Sequence, residues 1–211
     1  MIFYCLAQAV SVLDRGTEDL NKERWDKDEI GHYDMITSNV LIGYCDKVHN
    51  RCPVIKIDRH ERGAIACRPP EQRINILINH PRHGTCSNIY KVGLIMLSLL
   101  DTQVSIFMPS EGFMVKYNER LGRGVSNASY LEEEDIKDAY SQMLRALIME
   151  CCMKEPLLRP KTVELQARTG MMFRLCQNKL VADTVGNYIC PGLARENVLL
   201  EDLEPPKEWL V

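Results

Sequence analysis

His32-Tyr33-Asp34-Met35-Ile36-Thr37-Ser38-Asn39-Val40-Leu41-Ile42 is the stretch on which the fold turns. It sets Asp34 and Asn39 in a polar loop and then runs into Val40-Leu41-Ile42, a short strand-forming run. A second such run, Val54-Ile55-Lys56-Ile57, follows beyond the polar Asp46–Asn50 stretch. Together they predict a small two-stranded hairpin whose connection is longer than a tight turn.

Upstream, Ile2, Leu6, Ala9, Val10 and Leu13 share one helical face, and Arg15-Gly16 supplies a glycine at the C-cap. Residues 17–31 are polar and charged around Trp25, which predicts a surface loop with one aromatic anchor. Downstream, periodicity is weak between Arg59 and Arg82, where Pro69-Pro70 and Pro81 interrupt regular structure. Thr85 or Ser87 then caps a helix whose Ile89, Val92, Leu94, Ile95, Met96 and Leu99 cover most of its circumference. Apolar residues all round predict the buried central helix of the core.

Behind the acidic Glu132–Asp135 run, Ile136, Tyr140, Met143, Leu144, Leu147 and Cys151 predict one continuous helix. Pro160, at an early helical position, opens another through Val163, Leu165 and Ala167. The chain closes on Glu204-Pro205-Pro206-Lys207, which reads as an extended tail. No internal repeat is evident.

Composition narrows the function classes. A formal charge of -3 gives no basic field for nucleic acid, and no polybasic run suggests an anionic membrane. Val92–Leu100 is too short and interrupted to span a bilayer, and Met1 opens into a helical pattern without the basic start of a secretion signal. The expected location is therefore intracellular, cytoplasmic or nuclear. Nine cysteines are an odd number in a chain of 211 residues, which favours reduced thiols over a disulfide framework. Cys151 and Cys152 sit within an apolar helical pattern, where a thiol behaves as a small core group.

Set in order, several segments resemble the C-terminal lobe of eukaryotic-type serine/threonine protein kinases. His32–Ile42 resembles the catalytic loop, His-Arg-Asp-Leu-Lys-Pro-x-Asn followed by a strand. Val54–Ile57 resembles the strand before the Asp-Phe-Gly segment, Pro69-Pro70-Glu71 resembles Ala-Pro-Glu, and Ser87–Gly93 resembles the start of the central helix. Leu158-Arg159-Pro160 resembles the Arg-Pro pair before the last helix. The wording of Asn88-Ile89-Tyr90 and Glu204-Pro205-Pro206 is similar to kinase-like proteins of filamentous fungi.

The resemblance covers roughly residues 1–169 and implies a set of roles. Asp34 takes the proton-acceptor position of the substrate hydroxyl, while Asn39 and Asp58 take the magnesium positions. His32, Glu71, Asn88 and Arg159 take structural positions, with Glu71 and Arg159 expected to form an ion pair. Mg-ATP is the cofactor and a protein hydroxyl the substrate if the activity is retained. A protein partner, rather than nucleic acid or membrane, is implied either way.

Departures point away from catalysis. The glycine-rich phosphate loop, strand lysine and helix glutamate of the family lie further upstream of the catalytic loop than the chain before His32 reaches, so the β-rich small lobe is expected to be absent. Tyr33 stands where the loop arginine would be, and Ile36 where the lysine that steadies the transferring phosphoryl group would be. After Ile57 the text reads Asp58-Arg59-His60-Glu61, so either Asp58 sits one residue early or Arg59 replaces the metal ligand, which would put a cation beside a cation. No hydroxyl residue stands in Glu61–Pro70 to be phosphorylated.

The expectation is a mainly α fold, a kinase-like C-lobe with a small β-hairpin over residues 1–170 and a partly extended tail over 171–211. Its function would be that of a pseudokinase-type interaction protein, with a serine/threonine kinase as the alternative. A third reading is a zinc module built on Cys45, His49, Cys52 and His60, or on Cys67, His80, His83 and Cys86. Neither set contains a Cys-x-x-Cys knuckle, so solvated histidines and buried thiols are preferred.

Overall fold

Helix α1, Ile2–Arg15, buries Phe3, Leu6, Ala7 and Val10 on one stripe and stops at Gly16, whose φ of 78° is left-handed. The Gly16 N–H donates to the Val12 carbonyl at 2.9 Å. A Cβ on Gly16 would lie 2.5 Å from the Trp25 ring, and the Trp25 Nε1–H donates to the Asp14 carbonyl at 3.0 Å. Trp25 is thus the aromatic anchor expected of this segment, and it closes the end of α1.

The computed structural model describes residues 1–32, 34–44, 55–58, 68–74, 84–100, 114–116 and 123–185. They are mainly helical. After a 3-10 turn at Thr37–Asn39, β1 (Val40–Ile42) pairs antiparallel with β2 (Ile55–Ile57) in the register Val40 to Ile57, Leu41 to Lys56 and Ile42 to Ile55. This is the expected hairpin. A short helix α2, Pro70–Ile74, leads towards the central helix α3, Thr85–Leu100. A second two-stranded sheet, β3 (Met114–Lys116) with β4 (Arg123–Val125), precedes α4 (Glu134–Ala139), α5 (Gln142–Cys151) and α6 (Thr162–Val185).

Helix α3 occupies the centre, packed between α1 and α5, while α6 lies along α1. Ile89, Tyr90, Val92, Ile95 and Leu97 of α3 are all buried, which accounts for its nearly uniform apolar pattern. Gly93 permits the close approach to α5, because a Cβ there would lie 2.7 Å from both Cys151 Cβ and Cys152 Sγ. The Cys151 and Cys152 thiols are fully buried, and burial pushes Cys152 up to about 12, so these sulfurs are inert core groups. We expect Gly93→Ala to lower stability by about 1–3 kcal/mol in urea unfolding through overpacking, although alanine is the better helix former. Adding Cys152→Ala should recover part of the loss; an unchanged midpoint in the single variant would mean the helices separate at no cost.

Three expectations are corrected here. The helix expected through Ile136–Cys151 is two helices, because Tyr140 is extended (φ −130°, ψ 142°) and Ser141 accepts the Leu144 N–H to cap α5. Periodicity missed the break because Ile136 of α4 and Leu144 of α5 both pack against the core, so the apolar spacing runs on across Tyr140. The last helix begins at Thr162 rather than Pro160 and continues to Val185, so the tail boundary expected after residue 170 falls inside α6. Tyr4 stacks on Phe173 with ring centroids 5.5 Å apart, holding this part of α6 to α1. Finally, Pro69-Pro70, expected to interrupt regular structure, instead open the short helix α2, with Pro70 at a first-turn position that tolerates a missing N–H. The Glu204–Lys207 tail lies outside the described residues.

Candidate functional site

The segment between α1 and the hairpin is fastened at several helix ends before it reaches the candidate loop. Gln166 Nε2 donates to the Glu18 carbonyl at 2.5 Å, and Ile30 N–H donates to the Leu13 carbonyl at 2.9 Å. The Glu29 carboxylate accepts from Thr85 Oγ1 at 2.6 Å, beside Gly84, where a Cβ would collide with it. An acid from a distant loop therefore faces the first turn of α3, where the helix dipole favours negative charge. Thr85 and Ser87, the expected caps, direct their hydroxyls to Glu29 and Glu71.

The loop itself is gripped from below by α3. Asn88 Oδ1 accepts the His32 N–H at 2.8 Å, while Asn88 Nδ2 donates to the Ile30 carbonyl at 2.8 Å. Lys91 Nζ donates to the His32 carbonyl at 2.8 Å. Residues 88 and 91 are three apart on one helix and so face the same way. The His32 ring reaches in the other direction, its Nε2 lying 2.9 Å from the Asp58 carbonyl, a contact that requires the proton on Nε2.

Asp34 and Asn39, both 5% exposed, meet directly: Asn39 Nδ2 donates to the Asp34 carbonyl at 2.8 Å and to its Oδ2 at 2.9 Å. Asp58 N–H donates to the Asn39 carbonyl at 2.8 Å, which brings the end of β2 against the loop. Asp34, Asn39 and Asp58, singled out from the sequence, are thus joined by one chain of hydrogen bonds with His32. The Asp34 Oδ1 atom is buried and has no hydrogen-bond partner among the described residues. An acceptor left over in a group of hard oxygen donors fits a small divalent cation such as Mg²⁺. Among the described residues no three His, Cys, Asp or Glu side chains gather into a metal set, so such an ion would depend on Asn39, Asp58 and water beside the open Asp34 Oδ1.

The structural positions also come together. Arg159 NH1 and NH2 donate to the two carboxylate oxygens of Glu71, each at 2.8 Å. Arg159 Nε and NH1 further donate to the Met153 and Cys86 carbonyls at 2.9 and 2.8 Å. Its guanidinium lies 4.8 Å from the centre of the Tyr90 ring. Burial pushes the Glu71 carboxyl up, but the hydrogen bonds and charge of Arg159, with the Ser87 hydroxyl, outweigh it and hold Glu71 below its usual value.

Lys91 is the residue that sequence reasoning missed. Its signal was a lone cation inside the apolar run Ile89–Leu100, a position where burial demands a partner. Tyr33, Arg59 and, of the zinc sets, every residue except Cys86 lie outside the described residues. Cys86 is exposed, its carbonyl held by Arg159. None of the described helices is long and apolar enough to cross a membrane. No model of a known protein family matches this chain, and no curated protein does.

Proposed function

We propose that this chain is a protein-kinase-like C-lobe of the pseudokinase type, acting through a protein partner rather than by phosphoryl transfer. The observation that carries the kinase-like part is the two-pronged Glu71–Arg159 bond, which joins residues 88 apart in sequence. Those are the residues that the resemblance pairs, one from the Ala-Pro-Glu-like segment and one from the Arg-Pro-like segment. Asn88 of the central helix also holds the His32 backbone, which brings together two further positions that the resemblance marks as structural and supports the same reading.

The non-catalytic part rests on chemistry within the loop. Phosphoryl transfer depends almost wholly on positioning and on cations that balance the phosphate charge. Ile36, half-buried and apolar, and Tyr33 occupy the positions at which the resemblance expects a lysine and an arginine. Without them the loop retains a carboxylate and an amide but not the charge that would steady a transferring phosphoryl group.

A second reading, a serine/threonine kinase using Mg-ATP, is favoured by the way Asp34, Asn39 and Asp58 assemble. In it Asp34 would accept the proton of the substrate hydroxyl, and Asn39 and Asp58 would hold the magnesium. The ion would supply charge neutralisation at the phosphate oxygens. A thermal-shift titration separates the two, since a ligand that binds only the folded chain must raise its apparent stability. We expect Mg-ATP to leave the unfolding temperature unchanged. A concentration-dependent rise that disappears in Asn39→Ala would sink the non-catalytic reading and favour the kinase.

A further inference from the structure

We infer that Lys91 is a positioning residue for the candidate loop: its buried ammonium, with Asn88 one turn away, clamps the His32 backbone and thereby sets the Asp34–Asn39 turn. The inference deepens the proposed function by naming what holds its site, and it rests on that reading only in calling the loop a site.

Position 91 lies within the buried part of α3, and Lys91 is 2% exposed. For core packing alone, an aliphatic side chain of similar length would fill such a position without desolvating a charge. A lysine there needs acceptors, and the His32 carbonyl, 2.8 Å from Nζ, is one.

The consequence for the loop follows from what His32 is attached to. Its N–H is held by Asn88, its C=O by Lys91 and its ring by the Asp58 carbonyl, so the His32 backbone is tied to α3 through both its donor and its acceptor. Two residues later comes Asp34, whose carbonyl and carboxylate receive the Asn39 amide. Releasing the His32 carbonyl would free the peptide that carries the chain towards Asp34. Asn88 alone would still hold the preceding peptide, which confines the effect to the side on which the candidate residues lie.

The test is amide hydrogen exchange by NMR on the full chain, comparing wild type, Lys91→Met and the core control Ile95→Val. Lys91→Met should accelerate exchange of the amides between His32 and Asn39 by at least about tenfold while amides of α1 and α5 follow global stability. The Asn39 side-chain amide resonances should shift in Lys91→Met and not in Ile95→Val. Uniform acceleration through the molecule, or no change in the loop, would make Lys91 a packing residue and overturn the inference. Should Lys91→Met fail to fold, the wild-type protein decides: a scalar coupling across the hydrogen bond from Lys91 Nζ to the His32 carbonyl carbon supports the clamp, and its absence removes it. Mg-ATP plays no part in these measurements, so a kinase-active or nucleotide-binding outcome above would leave this result standing or falling by itself.

Discussion

Replacing Arg159 with methionine should lower the unfolding free energy by about 3–5 kcal/mol at neutral pH, the cost of stranding one partner of a buried ion pair. The Arg159 side chain is 0% exposed and that of Glu71 15%, so water can do little to replace the lost bonds. The change removes both donors to Glu71 and the donors to the Met153 and Cys86 carbonyls. Each stranded acceptor adds desolvation cost. Adding Glu71→Gln should recover part of the loss, since it removes the charge but not the missing donors. Chemical denaturation of the two variants measures both effects. A change below about 1 kcal/mol in the single variant would place the pair among ordinary surface ion pairs.

The stretch from His32 to Ile42 was legible because its signals are local: a polar loop, then an aliphatic run that pairs with Ile55–Ile57. The C-cap at Gly16 was legible for the same reason, since a left-handed residue favours glycine regardless of its surroundings. Contacts between distant residues were legible only where a resemblance supplied the partner, as it did for Glu71 with Arg159. Where none did, they were missed. Nothing near Glu29 indicates that it faces the start of α3, and nothing near Lys91 names the His32 carbonyl. The break at Tyr140 shows a related limit: hydrophobic periodicity reports which residues meet the core, and Ile136 and Leu144 keep a helical spacing although the backbone between them is extended.

Replacing Arg168 with methionine should also cost about 3–5 kcal/mol at neutral pH, and with a pH dependence that identifies the group left behind. Arg168 holds both carboxylate oxygens of Glu150, which is 1% exposed, and bonds Glu164 at 2.9 Å, so it latches α6 to α5. Burial pushes the Glu150 carboxyl above its usual value; Arg168 pulls it back and Glu164 adds to the rise. Glu71 and Glu150 are therefore shifted in opposite directions, and linkage gives them opposite signs. Glu71, lowered, contributes stability that is present above its unfolded value and lost as pH falls through its folded one. Glu150, raised, binds its proton more tightly in the folded chain, so stability falls as pH rises from its unfolded value through its folded one. Wild type should accordingly gain stability over Glu71→Gln as pH rises across the carboxylate range, and lose it relative to Glu150→Gln over the same rise. Removing Arg168 takes away the cation that holds Glu150 down, which widens the window and makes Arg168→Met most destabilised at neutral pH and nearest to wild type in acid. Parallel denaturation curves at pH values spanning that range give the three differences directly. Equal slopes for the two glutamine variants would mean that burial does not dominate at Glu150.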